Sequence, residues 1–134
     1  MANQASKKIL IIDDDPDQVY VIGAQLRTDG YETLSASDGQ EGLRLAKEIR
    51  PALIVLDLNL PKLSGLEVCR GIREDRDPKF SRTPFSYTPI VMLTGKSGEV
   101  DRLIGNVLGA DQYLTKPVEP EVFLSRVKEL LKEA

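Results

Sequence analysis

Short unbroken aliphatic runs alternate along this chain with stretches in which apolar residues recur every three or four positions. Lys8-Ile9-Leu10-Ile11-Ile12 ends in Asp13-Asp14-Asp15. Leu53-Ile54-Val55-Leu56 is entered through Pro51, stops at Asp57 and is left through Leu58-Asn59-Leu60-Pro61. Runs this short with no polar break predict strands buried on both faces, as in parallel sheets covered by helices on both sides. Tyr31–Ala36, Pro89–Leu93 and Asp111–Leu114 predict three further strands. Between them, Val19, Ile22 and Leu26 mark a helix capped by Asp15, with Pro16 in its first turn and Gly30 as its stop. Asp38-Gly39 reads as a turn, and Leu43, Leu45, Ala46 and Ile49 as a short helix that halts before Pro51. Ser64 or Gly65 opens a helix with Leu66, Cys69 and Ile72 on one face. A fourth helix is expected from about Ser97 to Leu108, and a fifth carries Val122, Phe123, Val127, Leu130 and Leu131.

Strand and helix alternate five times, which predicts an α/β fold with right-handed crossovers. For this length and pattern the default is a doubly wound five-stranded parallel sheet with helices on both faces. The strand order is not visible in the sequence. All 134 residues fit one domain, with residues 1–6 a disordered N-terminus. Residues 75–88 break the rhythm with Pro78, Pro84, Phe80, Phe85 and Tyr87, and predict an extended loop.

Composition removes several function classes. A net charge of −3 argues against a nucleic-acid surface. No apolar run approaches a membrane span, and Met1–Ser6 lacks a signal-peptide core, so membrane insertion is not expected. The single cysteine, Cys69, cannot form an internal disulfide, which fits a reducing cytoplasm, and its place on an apolar helix face reads as core. Histidine is absent, so His-based acid–base catalysis and His-ligated transition metals are excluded.

Taken alone, Asp57 reads as a carboxylate capping the loop after a core strand. In a parallel sheet, however, the carboxyl ends of the strands gather Asp13, Asp14, Asp57, Thr94 and Lys116 in one place. Two like charges about 4 Å apart repel by roughly 4 kcal/mol at an effective dielectric near 20. A hard divalent cation removes that conflict, and an all-oxygen set without His or thiolate suits Mg2+ best. Lys116 offers a compact positive charge and Thr94 a hydroxyl, both suited to a phosphoryl group. A carboxylate that accepts a phosphoryl group is an established kind of covalent chemistry.

With these residues in place, the chain resembles the response-regulator receiver domains of two-component signalling, and is similar to the single-domain chemotaxis regulators. The resemblance runs from Lys7 to Glu133. It is carried by Ile11-Ile12-Asp13-Asp14, by Leu56-Asp57 with Pro61 and Gly65, by Met92-Leu93-Thr94, and by Tyr113-Leu114-Thr115-Lys116-Pro117. It implies Asp57 as phosphoacceptor, with Asp13 and Asp14 holding magnesium directly or through water and Asn59 adding its backbone carbonyl. It implies Thr94 and Lys116 as phosphoryl ligands, Tyr113 as the aromatic that turns inward from solvent on activation, and a cis bond at Lys116-Pro117. The implied partners are a histidine kinase or histidine phosphotransfer protein as donor and a downstream protein that the sequence does not name. The same resemblance leaves room for a homodimer through the face of the fourth helix, fifth strand and fifth helix. Gly95 stands where the family most often has alanine, and the loop at 75–88 is several residues longer than usual.

Three rivals fall to particular residues. A haloacid-dehalogenase-type phosphatase needs a second acid two residues after its nucleophile, where this chain has Asn59. A flavodoxin-like cofactor binder needs a Ser-, Thr- and Gly-rich loop after its first strand, where three aspartates would repel a phosphate. A receiver-like interaction module that is never phosphorylated tends to lose an acid or the lysine, and all five site residues are kept here. The expectation is a phosphorylated switch rather than a turnover enzyme.

Overall fold

The computed structural model describes residues 7–58, 60, 62–73, 88–95 and 110–131. The expected N-terminal disorder, the body of the long loop and the helix at 97–108 lie outside these residues. Asn59 and Pro61 do as well. The strands are β1 (Lys8–Ile12), β2 (Glu32–Ala36), β3 (Leu53–Asp57), β4 (Ile90–Thr94) and β5 (Gln112–Thr115). The described helices are α1 (Pro16–Thr28), α2 (Gly39–Ile49), α3 (Gly65–Arg73) and α4 (Pro120–Leu131). All strand pairs are parallel, in the order β2-β1-β3-β4-β5.

The strands sort their side chains with period 2 onto two cores. Leu10, Ile12, Ile54, Leu56, Ile90 and Met92 face α2 and α3, where Ala46, Val68, Cys69 and Ile72 meet them. Ile9, Ile11, Leu53, Val55, Val91 and Leu93 face α1 and α4, against Ile22, Leu26, Phe123 and Val127. Both faces of β1, β3 and β4 are therefore apolar, which is why these runs carry no polar break.

Local chemistry sets the helix ends. The Asp15 carboxylate accepts the Asp17 N–H at 3.0 Å, ahead of Pro16 at the first helical position. At the other end of α1 the Gly30 N–H reaches the Arg27 carbonyl and the Tyr31 N–H the Leu26 carbonyl, a Schellman closure with Gly30 at φ 95. Ser64 and Glu67 cap α3 reciprocally: the Glu67 N–H donates to Ser64 Oγ at 3.3 Å and the Ser64 N–H to Glu67 Oε1 at 3.0 Å.

Three expectations are corrected. Asp38-Gly39 is not a free turn: Asp38 caps α2 by accepting the Glu41 N–H at 2.8 Å, and Gly39 is its first residue. Asp is favoured at N-caps as well as turns, so the dipeptide alone does not decide. Val122 lies outside the packed stripe of α4, at 38% exposure, whereas Phe123 and Val127 are buried. The strands at 31–36, 89–93 and 111–114 begin one residue later than expected, and the last two also end one later.

Burial pushes the Cys69 thiol up from its ordinary value; the Arg73 guanidinium lowers it in part and Asp111 raises it again. A thiol held neutral inside the core fits packing rather than redox sensing. The assignment of the α4 face is testable by denaturant unfolding. Phe123→Ala should cost about 3–5 kcal/mol. Val122→Ala should stay within about 0.5 kcal/mol of the parent. Comparable losses in both would show that α4 packs through a different stripe.

Candidate functional site

Parallel register brings the acids together. Ile12 pairs with Leu56, so Asp13 and Asp57, the next residue on each strand, emerge side by side at the carboxyl ends. Asp57 pairs in turn with Leu93, and Thr94 with Thr115, which puts Lys116 one step beyond the ladder on the same rim. The strand order reverses direction between β1 and β3, and open α/β sheets bind ligands at that point.

Asp13 and Asp57 are 2% and 5% exposed, while Asp14 is exposed. Carboxylate oxygens of the three lie within 4.8 Å of one another. Lys116 Nζ stands 3.4 Å from Asp13 Oδ2 and 3.4 Å from Asp57 Oδ1. Asp13 is held at two further points: its Oδ1 accepts the Asp15 N–H at 3.0 Å, and its own N–H donates to the Ala36 carbonyl at 3.0 Å. These four side chains carry three negative charges and one positive. Taking carboxylates out of water is costly unless they are paired. A single ammonium at 3.4 Å leaves the set short of positive charge. The donor atoms are all oxygen, two of the three acids are nearly buried, and one faces solvent. That donor set fits a magnesium ion, which takes carboxylates and keeps several of its waters.

The structure thus unites Asp13, Asp14, Asp57 and Lys116. Thr94 ends β4 on the same rim, with its side chain outside the described atoms, and Asn59 also lies outside them. The Lys116-Pro117 peptide is cis, as the resemblance implies. Tyr113 is not solvent-facing: it is half-buried against the α2–α3 core, with its hydroxyl oxygen buried. Sequence reasoning missed the close approaches that seat the segment after Asp57. A Cβ on Gly65 would overlap the Asp57 carbonyl oxygen, and the Gly65 N–H donates to the Leu58 carbonyl at 3.0 Å. A cleft of about 470 Å³ opens from Asp13 and Asp14 along α1, past Val19 and Tyr20.

A doubly wound parallel sheet with an acidic pocket at its switch point, reached by a lysine from beyond β5, defines a recognisable class of α/β domain. Residues 9–128 match the family model described as response regulator receiver domain, and the chain belongs to that family. It is 42% identical over 129 residues to the alkaline phosphatase synthesis transcriptional regulatory protein PhoP of Bacillus subtilis (strain 168), covering 96% of this chain and 50% of that protein. It is 39% identical over 126 residues to the DNA-binding response regulator MtrA of Mycolicibacterium smegmatis, covering 94% of this chain and 51% of that one. The chain spans about half the length of these curated relatives. Among solved structures, the chemotaxis protein CheY4 of Vibrio cholerae superposes with a TM-score of 0.82 at 30% identity, over 94% of this chain and 99% of that one. The receiver domain of the sensor histidine kinase PA1611 of Pseudomonas aeruginosa PAO1, solved with magnesium coordinated in its active-site cleft, gives 0.83 at 29% identity, over 96% and 100%.

Magnesium should stabilise the parent against unfolding by about 2.7 kcal/mol at a hundredfold excess over its dissociation constant. Asp13→Asn and Asp14→Asn should lose most of that gain, and relief of carboxylate repulsion should leave them at least as stable as the parent without metal. Thermal unfolding with and without magnesium reads both effects. An unchanged magnesium gain in both variants would remove the metal assignment.

Proposed function

We propose that this receiver domain accepts a phosphoryl group on Asp57 from a phosphohistidine of a histidine kinase or phosphotransfer protein, and changes conformation to signal to a partner. The observation that carries the reading is Lys116 Nζ, poised 3.4 Å from Asp57 Oδ1 and from Asp13 Oδ2 within a three-carboxylate cluster. In the step itself an Asp57 carboxylate oxygen attacks phosphorus. The phosphorus–nitrogen bond breaks as the acyl phosphate forms, and the imidazole leaves carrying the bond's electron pair. Magnesium, when bound to Asp13, Asp14 and Asp57, supplies Lewis-acid charge to the transferring oxygens.

This chain's own residues do the rest. Asp13 is fixed by the Asp15 and Ala36 backbone contacts, so its carboxylate is oriented before any ligand arrives. Lys116, already 3.4 Å from Asp13 and Asp57 oxygens, is assigned to neutralise charge that develops on the phosphoryl oxygens. Thr94, on the rim beside Asp57, is the hydroxyl assigned to hydrogen-bond the phosphoryl group once formed, and Asn59 is assigned a backbone carbonyl toward the metal. The family's interaction modules that go unphosphorylated lose an acid or the lysine; that reading is disfavoured here because all are present.

The relatives PhoP and MtrA bear names that make them transcriptional regulators. By analogy, the output of this receiver would be control of a DNA-binding partner or attached segment, exercised in the cytoplasm, with the domain itself not contacting DNA. A homodimer through the face that includes β5 and α4 remains part of this proposal.

Intact mass after incubation with magnesium and a small phosphodonor should rise by one phosphoryl group. Asp57→Asn should abolish the rise, because an amide cannot form the acyl phosphate. Labelling that survives the substitution would sink the assignment. Thr94→Ala should retain labelling at Asp57 yet lose much of the phosphorylation-dependent change in hydrogen exchange over residues 110–115. If its protection change equals the parent's at equal labelling, Thr94 is not the link.

A further inference from the structure

The turn between β2 and α2 touches both halves of the site without supplying a ligand to either. On one side Ala36, which ends β2, accepts the Asp13 N–H. On the other, Asp38 divides its carboxylate. Oδ1 caps α2 through the Glu41 N–H at 2.8 Å, and Oδ2 lies 3.7 Å from Lys62 Nζ. Gly39 follows, buried, and a Cβ there would overlap the carbonyl oxygen of Leu63 and come within 2.6 Å of its carbonyl carbon. Lys62 itself takes the left-handed conformation, at φ 70, that lets the chain fold back onto this turn.

We propose that Asp38 and Gly39 are positioning residues: they clamp Lys62 and Leu63, hold the segment that leaves Asp57 in place, and thereby tune the metal affinity of the acidic site. The inference rests on the phosphoacceptor reading of that site for its biological sense, but its consequence is read through magnesium alone. The two contacts are unequal. The Lys62 side chain is 65% exposed, and an ion pair so open to water contributes little. The Gly39 approach is different, because the atoms it meets belong to the main chain and cannot rotate away.

Something must move if a methyl group is placed there, and the surroundings decide what. The α2 helix lies close on the sheet at Gly42, where a Cβ would come within 2.6 Å of the Ile12 side chain, so α2 is itself closely packed. In the proposed clamp it is the segment at 62–63 that shifts. Its far end is tied to the acceptor by Gly65, whose N–H meets the Leu58 carbonyl and where a Cβ would overlap the Asp57 carbonyl oxygen. Displacement at Leu63 is transmitted to Asp57 over very few bonds.

The test compares Gly39→Ala with Gly71→Ala. The second variant also inserts a methyl group against α2, 3.0 Å from Leu43 Cδ2, but away from the acceptor segment. Misplacement of about 1 Å can cost on the order of 100-fold in a preorganised site, and a tenfold weakening of magnesium binding in Gly39→Ala is the expected result. Gly71→Ala should bind as the parent does. Asp38→Asn, which keeps a good cap and removes the charge toward Lys62, should shift the midpoint far less than Gly39→Ala. Parent-like magnesium binding in Gly39→Ala, or equal weakening in Gly71→Ala, would overturn the proposal.

Should Gly39→Ala fail to fold, the parent protein decides by hydrogen exchange with and without magnesium. Residues 37–42 and 62–66 should gain protection together, and a gain confined to 62–66 would overturn the clamp. Neither arm reads phosphorylation. A failed clamp therefore leaves the Asp57 assignment standing, and an unlabelled Asp57 leaves the magnesium result intact.

Discussion

Two nearly buried carboxylates, Asp13 and Asp57, are forced beside each other by the register of adjacent parallel strands, with one ammonium spanning them. Neither could remain there as an isolated charge. The rest of the molecule can be understood as what makes that placement tolerable. Two apolar faces stabilise β1 and β3 enough to hold the register, the backbone N–H of Asp15 satisfies one Asp13 oxygen, and Lys116 reaches in from beyond β5. The remaining excess of negative charge is what makes the donor set fit a magnesium ion. Stability and ligand binding are therefore opposed at this point: each acid that attracts the metal burdens the metal-free fold.

That opposition explains why the pocket is braced closely, by main chain at Gly65 and by packed side chains elsewhere. Carboxylates that repel would spread if their strands could yield. Gly65 brings α3 against the main chain at Asp57, and Gly42 brings α2 against Ile12 just before Asp13. Both glycines act by permitting close approach. The Arg73 guanidinium performs a similar service at the other end of β4, donating to the Thr88 carbonyl at 2.8 Å and to Asp111 Oδ2 at 2.9 Å. Asp111 also accepts the Ile90 N–H with the same oxygen, so α3 and the starts of β4 and β5 share one polar clasp.

Much of this was legible in the residues. β1 and β3 showed themselves because both faces are buried and no polar residue interrupts them, and the acids at their ends followed from parallel pairing. The cap at Asp15 and the stop at Gly30 have local causes and were readable locally. What escaped has tertiary causes. Strand order depends on which helices cover which face, and no single segment encodes it. Asp38-Gly39 is equally good turn and cap chemistry until the Leu63 carbonyl is seen against it. Val122 and Phe123 are adjacent apolar residues on one helix, and only the position of β3 and α1 decides which is buried. Tyr113 was expected to face solvent because its role was drawn from the family, not from its contacts with the α2–α3 core.

The inward position of Tyr113 bears on how a signal could leave Asp57. Asp57 pairs with Leu93, Leu93 with Leu114, and Thr94 with Thr115, so Asp57 is two ladder steps from the strand that carries Tyr113 and leads into Lys116. A phosphoryl group adds about −1.5 to −2 charges at pH 7. On the proposed phosphoacceptor reading Lys116 would answer that charge directly, and β5, which leads into it, would accommodate whatever shift it makes. With the ring already half-buried against the α2–α3 core, no large movement of Tyr113 from solvent is required. On the proposed phosphoacceptor reading, phosphorylation would act by its differential contacts with conformations that exist beforehand. On that reading the size of the response would be set by how strongly Lys116 and the β4 rim distinguish a phosphorylated Asp57 from a bare one, and not by a large excursion of Tyr113 itself.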